Sequence, residues 1–466
     1  MPFNLQQPNQ ETLVDDKIQW DQVHCLHIVG AGGVGMSALA LLAKNLGFSV
    51  TASDLNESEY LNKLKEAGIP VWVGSHPERI SKNAILFKST AVPLTDPEVQ
   101  YAKQQGIPVY SRHPLLSMIT KKSFCLAVCG THGKTTTTGW ITYLLKTAGY
   151  DPTALVGGTL KDFRSNVVIG SGTFQNKPLF IVEADESDGS FLSIDADIVC
   201  VTNMEIDHPD HYKDQSEFLN TFYNFFQETI THKGKLFFSS EIEESIIKKF
   251  LNDENTNRPT IHSDTITYHG KSYKIGLLGH HNLFNASLVL QVANLLKIPD
   301  GVVRKTLLEF QGIKRRMDIL FQNETVTVMD DYAHHPTEIA TVFKTIKSQY
   351  EKIYVIWEPH RISRVLYFIE DYKKVFEEMK GRAKLYKMPI FTAGDNPADF
   401  PQWPSVEKEL NTILHLDWNE KIEKEMLQFL PELKQKTLIL FLGAGNSSKA
   451  AKDFVYKLSQ KQKLNI

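Results

Sequence analysis

The chain has 466 residues, too many for one compact core; at roughly 150 residues per domain, about three are expected. Its apolar fraction of 42% and charged fraction of 23% are those of a globular chain, and 27 Gly and 20 Pro exclude a collagen-like or mainly disordered polymer. Lys plus Arg total 51 against 54 Asp plus Glu, and the net charge of −3 gives no electrostatic reason to expect a nucleic-acid partner.

The first stretch, MPFNLQQPNQETLVDD, is polar and acidic and lacks the basic and apolar regions of a secretory signal. No apolar run approaches the ~20 residues of a membrane helix, so a cytoplasmic protein without a membrane partner is expected. HCLHIVG reads as a strand ending in glycines, and MSALALLAKNLG as a helix with a glycine stop. FSVTASD, AILFKST and IPVYS continue the alternation, a βαβ rhythm that favours a parallel sheet covered by helices. The pattern restarts at FCLAVCG, with the helix TTTTGWITYLLKTAG and the strands LFIVEAD and DIVCVTN; a long segment with fewer signals follows. It restarts again near TVTVMDDYAHHP, with EKIYVIWEP and KTLILFLGAG as later strands. The expected architecture is therefore α/β in three domains. These are a Rossmann-like unit over 1–120, a central P-loop ATPase-like unit with a mostly parallel sheet over 121–314, and a second Rossmann-like unit over 315–466. Cys25, Cys125, Cys129 and Cys200 all fall in apolar, strand-like segments without CxxC spacing, which predicts reduced core residues.

Two glycine loops carry the chemistry. Gly30-Ala31-Gly32-Gly33-Val34-Gly35 has the form GxGxxG between a strand and a helix, and Asp54 ends the next strand. Such glycines let the backbone approach a diphosphate at a helix N-terminus, and the acidic residue can accept from a ribose hydroxyl. A dinucleotide and a nucleotide-sugar diphosphate fit this equally well. The second loop, Gly130-Thr131-His132-Gly133-Lys134-Thr135-Thr136, is shorter than the usual GxxxxGK[ST] form. It still places N–H groups, an ammonium and a hydroxyl around a triphosphate: Lys134 for the β/γ oxygens, Thr135 for a metal ion. Metal ligands are expected after neighbouring strands. LFIVEADESDGSF offers Glu183, Asp185, Glu186 and Asp188, and VTNMEIDHPDHY offers Asn203, Glu205, Asp207, His208 and His211. Glu183 and His208 stand nearest the strand ends.

At this point several segments together resemble the Mur ligases, the ATP-dependent amide-forming enzymes of peptidoglycan precursor assembly. The likeness rests on GTHGKTT, EADESD and TNMEIDH in the centre, GHHNLFNA at 279–286, GIKRRMD at 312–318, DDYAHHPTE at 330–338 and EPHRISR at 358–364. One departure is Met317 where the family usually has Phe. The HHPTE and PHRxxR pair is similar to the branch that adds L-alanine to UDP-N-acetylmuramate. The competing branch adds the L-Ala-γ-D-Glu-diaminopimelate tripeptide to the same acceptor, and Ala333 is a feature of its pattern. The resemblance implies activation of a carboxylate by ATP as an acyl phosphate, with Mg2+ or Mn2+, in a monomer or homodimer. It implies Lys134, Glu183, His208 and Arg316 as catalytic, with Thr135, Glu183 and His208 on metal. ATP would meet residues 130–136, His281, Asn282, Asn285, Arg316 and Asp331. The UDP-sugar would lie against Gly30, Gly32, Gly33, Gly35, Met36, Ser37, Asp54, His76, Ser89, Thr90 and Arg112. Tyr332, His334, Arg361 and Arg364 would orient L-alanine or the activated acid.

Overall fold

The computed structural model describes residues 18–464 apart from 187–188, 207–211, 213, 251–257, 415 and 431–432. Three sheets follow one another along the chain, each made from apolar runs that helices cover. The first contains β1 (Cys25–Val29), β2 (Ser49–Asp54), β3 (Val71–Val73), β4 (Ala84–Lys88) and β5 (Val109–Tyr110), in the order β3-β2-β1-β4-β5. All its pairings are parallel. Parallel strands need crossovers, and the crossing helices bury both faces, which is why β1 and β4 read as apolar runs rather than alternating ones. The order reverses beside β1, between β1 and β4, and in parallel sheets the crevice for a ligand lies at such a point, outside the carboxyl ends of the strands.

The central sheet uses β6 (Phe124–Cys129), β7 (Thr153–Leu160), β8 (Ser165–Val168), β9 (Thr173–Phe174), β10 (Lys177–Glu183), β11 (Ile198–Val201) and β12 (Lys235–Phe238), in the order β12-β11-β6-β10-β7-β8 with β9 on β10. The pairings among β12, β11, β6, β10 and β7 are parallel, and β8 and β9 join antiparallel. All six residues of β6 are buried, as its unbroken apolar sequence requires. Beyond β12 stands an unanticipated three-stranded antiparallel sheet of β13 (Thr260–His262), β14 (Thr265–Tyr268) and β15 (Lys271–Tyr273). The third large sheet contains β16 (Asp318–Gln322), β17 (Val326–Asp331), β18 (Lys352–Trp357), β19 (Lys384–Lys387), β20 (Leu416–Asp417) and β21 (Thr437–Leu442), in the order β16-β17-β21-β18-β19-β20. Only β16 pairs antiparallel there.

The first two sheets share one core. Leu115, Leu116, Met118 and Ile119 of the helix His113–Lys121 join Ile28 and Phe87 of the first sheet to Cys125, Phe180 and Phe222 of the central unit. The third sheet has its own cores on its two faces, centred on Trp357 and on Phe441. Cys125, Cys129 and Cys200 are buried and Cys25 half-buried, all as free thiols. Burial pushes the Cys125, Cys129 and Cys200 thiols up, so they stay protonated and inert. No helix among the described residues is long and apolar enough to cross a membrane.

Candidate active site

The first glycine loop is a finished turn. Gly30 has φ +78°, and a Cβ there would lie 2.9 Å from Ser89 Cβ and 2.8 Å from Val92, so only glycine lets the two loops meet. The Asp54 carboxylate accepts from the N–H of Gly32 at 2.8 Å and of Asn56 at 3.0 Å. It fixes the loop from the neighbouring strand. Arg112 reaches over the helix start, with Nη1 3.1 Å from where a Gly35 Cβ would be. Its Nη2 lies 3.9 Å from Asp185 of the central unit. Met36 packs in the shared core, and the Ser37 hydroxyl donates to the Val34 carbonyl. These two therefore face inward and offer the crevice only their backbone. The N–H of His76 donates to Glu98, which is buried and also receives Trp72 Nε1 at 2.7 Å. Burial pushes Glu98 up, but hydrogen bonds from His27, Ser53, Trp72 and His76 outweigh it and hold the acid at about 2. Nothing in the sequence singled out Glu98.

The second loop leaves β6 and enters the helix Lys134–Thr147. Gly130 has φ +121°, and a Cβ there would come within 2.2 Å of Thr202 Oγ1. Asn203 clamps the loop twice: its Oδ1 accepts from His132 N–H and its Nδ2 donates to the His132 carbonyl, both at 3.0 Å. Lys134 is buried. Its Nζ donates to the carbonyls of Gly130 and Thr131 and lies 2.7 Å from Glu186. Burial opposes the ammonium, yet Glu186, Asp185 and Glu183 outweigh burial and raise it above its usual range. Burial conversely pushes Glu186 up to about 7, against the pull of Lys134, and raises Glu183. Thr135 Oγ1 donates to Glu183 Oε1 at 2.9 Å, and Gly157 N–H holds the other oxygen at 2.7 Å.

Three further segments close around this loop to leave a cavity of about 560 Å3, lined among others by His132, Gly133, Asn282, Asn285, Arg316 and Asp331. Asn285 packs directly on Gly133, whose added Cβ would fall 2.4 Å from Asn285 Oδ1. Asn285 in turn donates to Asn282 at 2.9 Å, one helical face presenting both as their spacing predicts. Burial lowers His281 to about 4, so it is a neutral lining group. Apolar Ile242, Ile246, Leu277 and Val342 complete the wall. Between the central and third sheets, Arg315 and Met317 hold positive φ, +61° and +45°. Asp331 secures this hinge by accepting from Met317 N–H and Ala333 N–H, both at 2.7 Å, and burial raises it to about 6. The adjacent arginines divide: Arg315 Nη2 donates to the Gly443 carbonyl at 2.7 Å, while Arg316 lines the cavity and pairs with Glu338 at 3.3 Å.

The four residues expected around the amine substrate gather at the carboxyl ends of β17 and β18. The Tyr332 and His334 rings lie 5.3 Å apart, and His334 is 5.2 Å from His360. Arg364 Nη1 is 3.1 Å from His360 Nδ1, and Arg361 pairs with Asp395 at 3.1 Å. Asp395, in a loop without sequence signal, also accepts from Ser363 N–H at 2.9 Å and so sets the start of the short helix Ile362–Tyr367.

Comparison with known proteins gives the arrangement a lineage. Residues 26–123 match the Mur ligase family catalytic domain, 128–293 the Mur ligase middle domain, and 315–445 the Mur ligase glutamate ligase domain. The chain belongs to the Mur ligase family. It is 32% identical to the UDP-N-acetylmuramate–L-alanine ligase of Hydrogenobaculum sp. (strain Y04AAS1), over 90% of this chain and 96% of that one. It is 31% identical to the enzyme of the same name from Aquifex aeolicus, over 94% and 99%. Among solved structures it is similar to the UDP-N-acetylmuramate-alanine ligase of Thermotoga maritima, with a TM-score of 0.75 and 25% identity over 94% of this chain and 99% of that one. A murein peptide ligase from Psychrobacter arcticus shares the fold, with a TM-score of 0.69 at 22% identity over 93% and 98%.

As a Mur ligase the chain invites the question of metal. Thr135 and Glu183 fit one: a hydroxyl and a carboxylate side by side offer the hard oxygen donors that Mg2+ takes. His208, the expected ligand for a second ion, lies outside the described residues, as do Asp188, Asp207 and His211. Another trio, His132, Glu205 and His335, is close enough to ring an ion. Its chemistry argues against one. His335 Nδ1 accepts the N–H of Thr337 as a helix cap, which leaves the hydrogen, not a lone pair, on Nε2. Instead Glu205 and Glu338 flank His132 at 3.3 and 3.4 Å, and although burial opposes the charge they raise the imidazole to about 10.

Proposed function

We propose that this Mur ligase joins L-alanine to the lactoyl carboxylate of UDP-N-acetylmuramate at the expense of ATP, with domain limits near residues 120 and 315. The single observation that carries the reading is the cluster of Lys134, Thr135 and Glu183, beside a cavity that Arg316 lines from the hinge and close enough for the Glu183 charge to act on that guanidinium. The relatives named above are alanine ligases matched over nearly their whole length.

The chemistry then follows from charge. The lactoyl carboxylate attacks the γ-phosphorus, the bond to the β-γ bridging oxygen breaks, and ADP leaves with that electron pair. The alanine amine next attacks the acyl carbon, loses a proton and expels phosphate, leaving an amide. Two anions must meet in the first step, so cations have to screen them before it can proceed. Lys134 takes β/γ oxygens, and Arg316 takes the charge that grows on the moving phosphoryl group. Thr135, Glu183 and His208 would hold Mg2+ or Mn2+, which when bound neutralises phosphate charge. The first crevice anchors the UDP diphosphate on backbone N–H groups of the glycine loop and on Arg112. Arg112 also faces Asp185, on the side toward the phosphate loop. Asn282, Asn285, Asp331 and the apolar wall receive the nucleoside. Tyr332, His334, Arg361 and Arg364 bring in the amine substrate.

The test is direct. Labelled L-alanine, UDP-N-acetylmuramate, ATP and Mg2+ are expected to give one amide and one phosphate per turnover. A preference for the intact L-Ala-γ-D-Glu-diaminopimelate tripeptide would replace the alanine assignment with the recycling one. Tight nicotinamide binding without phosphate release would overturn both.

A further inference from the structure

Glu338 makes more bonds than a helix cap requires. It stands third in the helix Pro336–Ile346, where its carboxylate returns to the His335 backbone and completes a capping box with the His335 side chain. That duty needs an oxygen but no charge, since glutamine serves equally in such boxes. Yet Glu338 Oε1 lies 3.4 Å from His132 Nδ1 in the phosphate loop and 3.3 Å from Arg316 Nη1 at the hinge. A carboxylate with only 11% of its side chain exposed is costly unless its charge is met, and here His132 and Arg316, from two other segments, meet it. The other nitrogen of His132 lies 3.3 Å from Glu205, which accepts the Thr337 hydroxyl. The phosphate loop is thereby tied to the third unit by two straps that share His132.

We propose that Glu338 is a positioning residue for ligation: by holding His132 and Arg316 on one carboxylate, it makes the placement of the Arg316 cation depend on docking of the third unit against the phosphate loop. This rests on the ligase reading above and deepens it. Docking then does more than bring the amine site near. It aligns the arginine that meets the γ-phosphate, so phosphoryl transfer is favoured only in the docked molecule.

Glu338→Gln separates the two duties, because it keeps the cap and removes the charge. The expected outcome is a chain that still unfolds in one cooperative transition, with kcat lowered at least about 10-fold. The KM for UDP-N-acetylmuramate, bound in the first crevice, is expected to stay within about 2-fold. His132→Gln is expected to lower kcat similarly, and the double variant to fall no further than either single one. Glu338→Ala, which loses the cap as well, is expected to melt earlier than Glu338→Gln. Backbone hydrogen exchange over 130–134 without substrates is expected to speed up in Glu338→Gln. A Glu338→Gln enzyme with parental kcat, losses that multiply in the double variant, or unchanged exchange would each overturn the proposal. Absence of amide product from the parent would instead sink the ligase reading, and the exchange experiment would still decide the coupling.

Discussion

The two glycine loops share a βα turn and differ in what surrounds it. In the first, Asp54 is spent on the loop itself, tied to two backbone N–H groups, and Arg112 reaches in from a later helix. In the second, the loop carries its own cation, and Glu183 and Glu186 from β10 and just beyond it answer that charge inside a buried pocket. A turn fixed by hydrogen bonds and open to one cation is suited to holding a diphosphate unchanged. A turn packed with opposed charges that are partly uncompensated is suited to moving one. On the proposed reading, the contrast separates binding from chemistry on what is locally the same backbone.

Lys134→Ala is the harshest test of that contrast. Amide formation is expected to fall by about 1000-fold or more, while affinity for UDP-N-acetylmuramate stays within about 2-fold, measured by phosphate release and calorimetry. Next come the glycines. Gly130→Ala puts a methyl 2.2 Å from Thr202 Oγ1 at φ +121° and is expected to cost about 1–3 kcal/mol in urea unfolding. Gly33→Ala, with nothing within 4 Å, is expected to stay within about 0.5 kcal/mol. Asp54→Ala removes a charged acceptor from Gly32 and is expected to raise the KM for the UDP-sugar about 10-fold with the KM for ATP unchanged.

The smallest effect is a pH dependence confined to the second loop. His132 is raised from 6.5 to about 10 in the folded protein. A raised folded pKa means that its stabilising contribution is complete below about 6.5 and lost as pH climbs toward about 10. His132→Gln is expected to flatten the decline of melting temperature across that window, and Asp54→Ala to leave it in place.

Much of this was legible because it is local. The glycine loops, Lys134, Thr135 and Glu183 lie at strand ends, where a restart of the βαβ rhythm marks the candidate site without knowledge of the fold. The resemblance of the 279–286 stretch singled out Asn282 and Asn285, and their spacing of three placed them on one helical face. What escaped depends on chain reversals and long-range contacts. The strands β13–β15 are only three or four residues long, too short for periodicity to reveal. Asp395 acts on Arg361 from a loop of ordinary composition. Glu98 looks like a surface helix residue until His27 and Trp72 close over it. Glu338 was visible inside its motif, but a capping residue needs no further explanation until its neighbours in space are known. The expected roles of Met36 and Ser37 shift for the same reason: helix phase turns both side chains into the core.

The division of labour between the loops can be read from one crystal structure of the protein with a non-hydrolysable ATP analogue and UDP-N-acetylmuramate. The triphosphate is expected against the N–H groups of residues 131–135, with Lys134 Nζ on its β/γ oxygens and the sugar diphosphate at residues 30–35. Finding the analogue's phosphates at residues 30–35, or away from Lys134, would contradict the account.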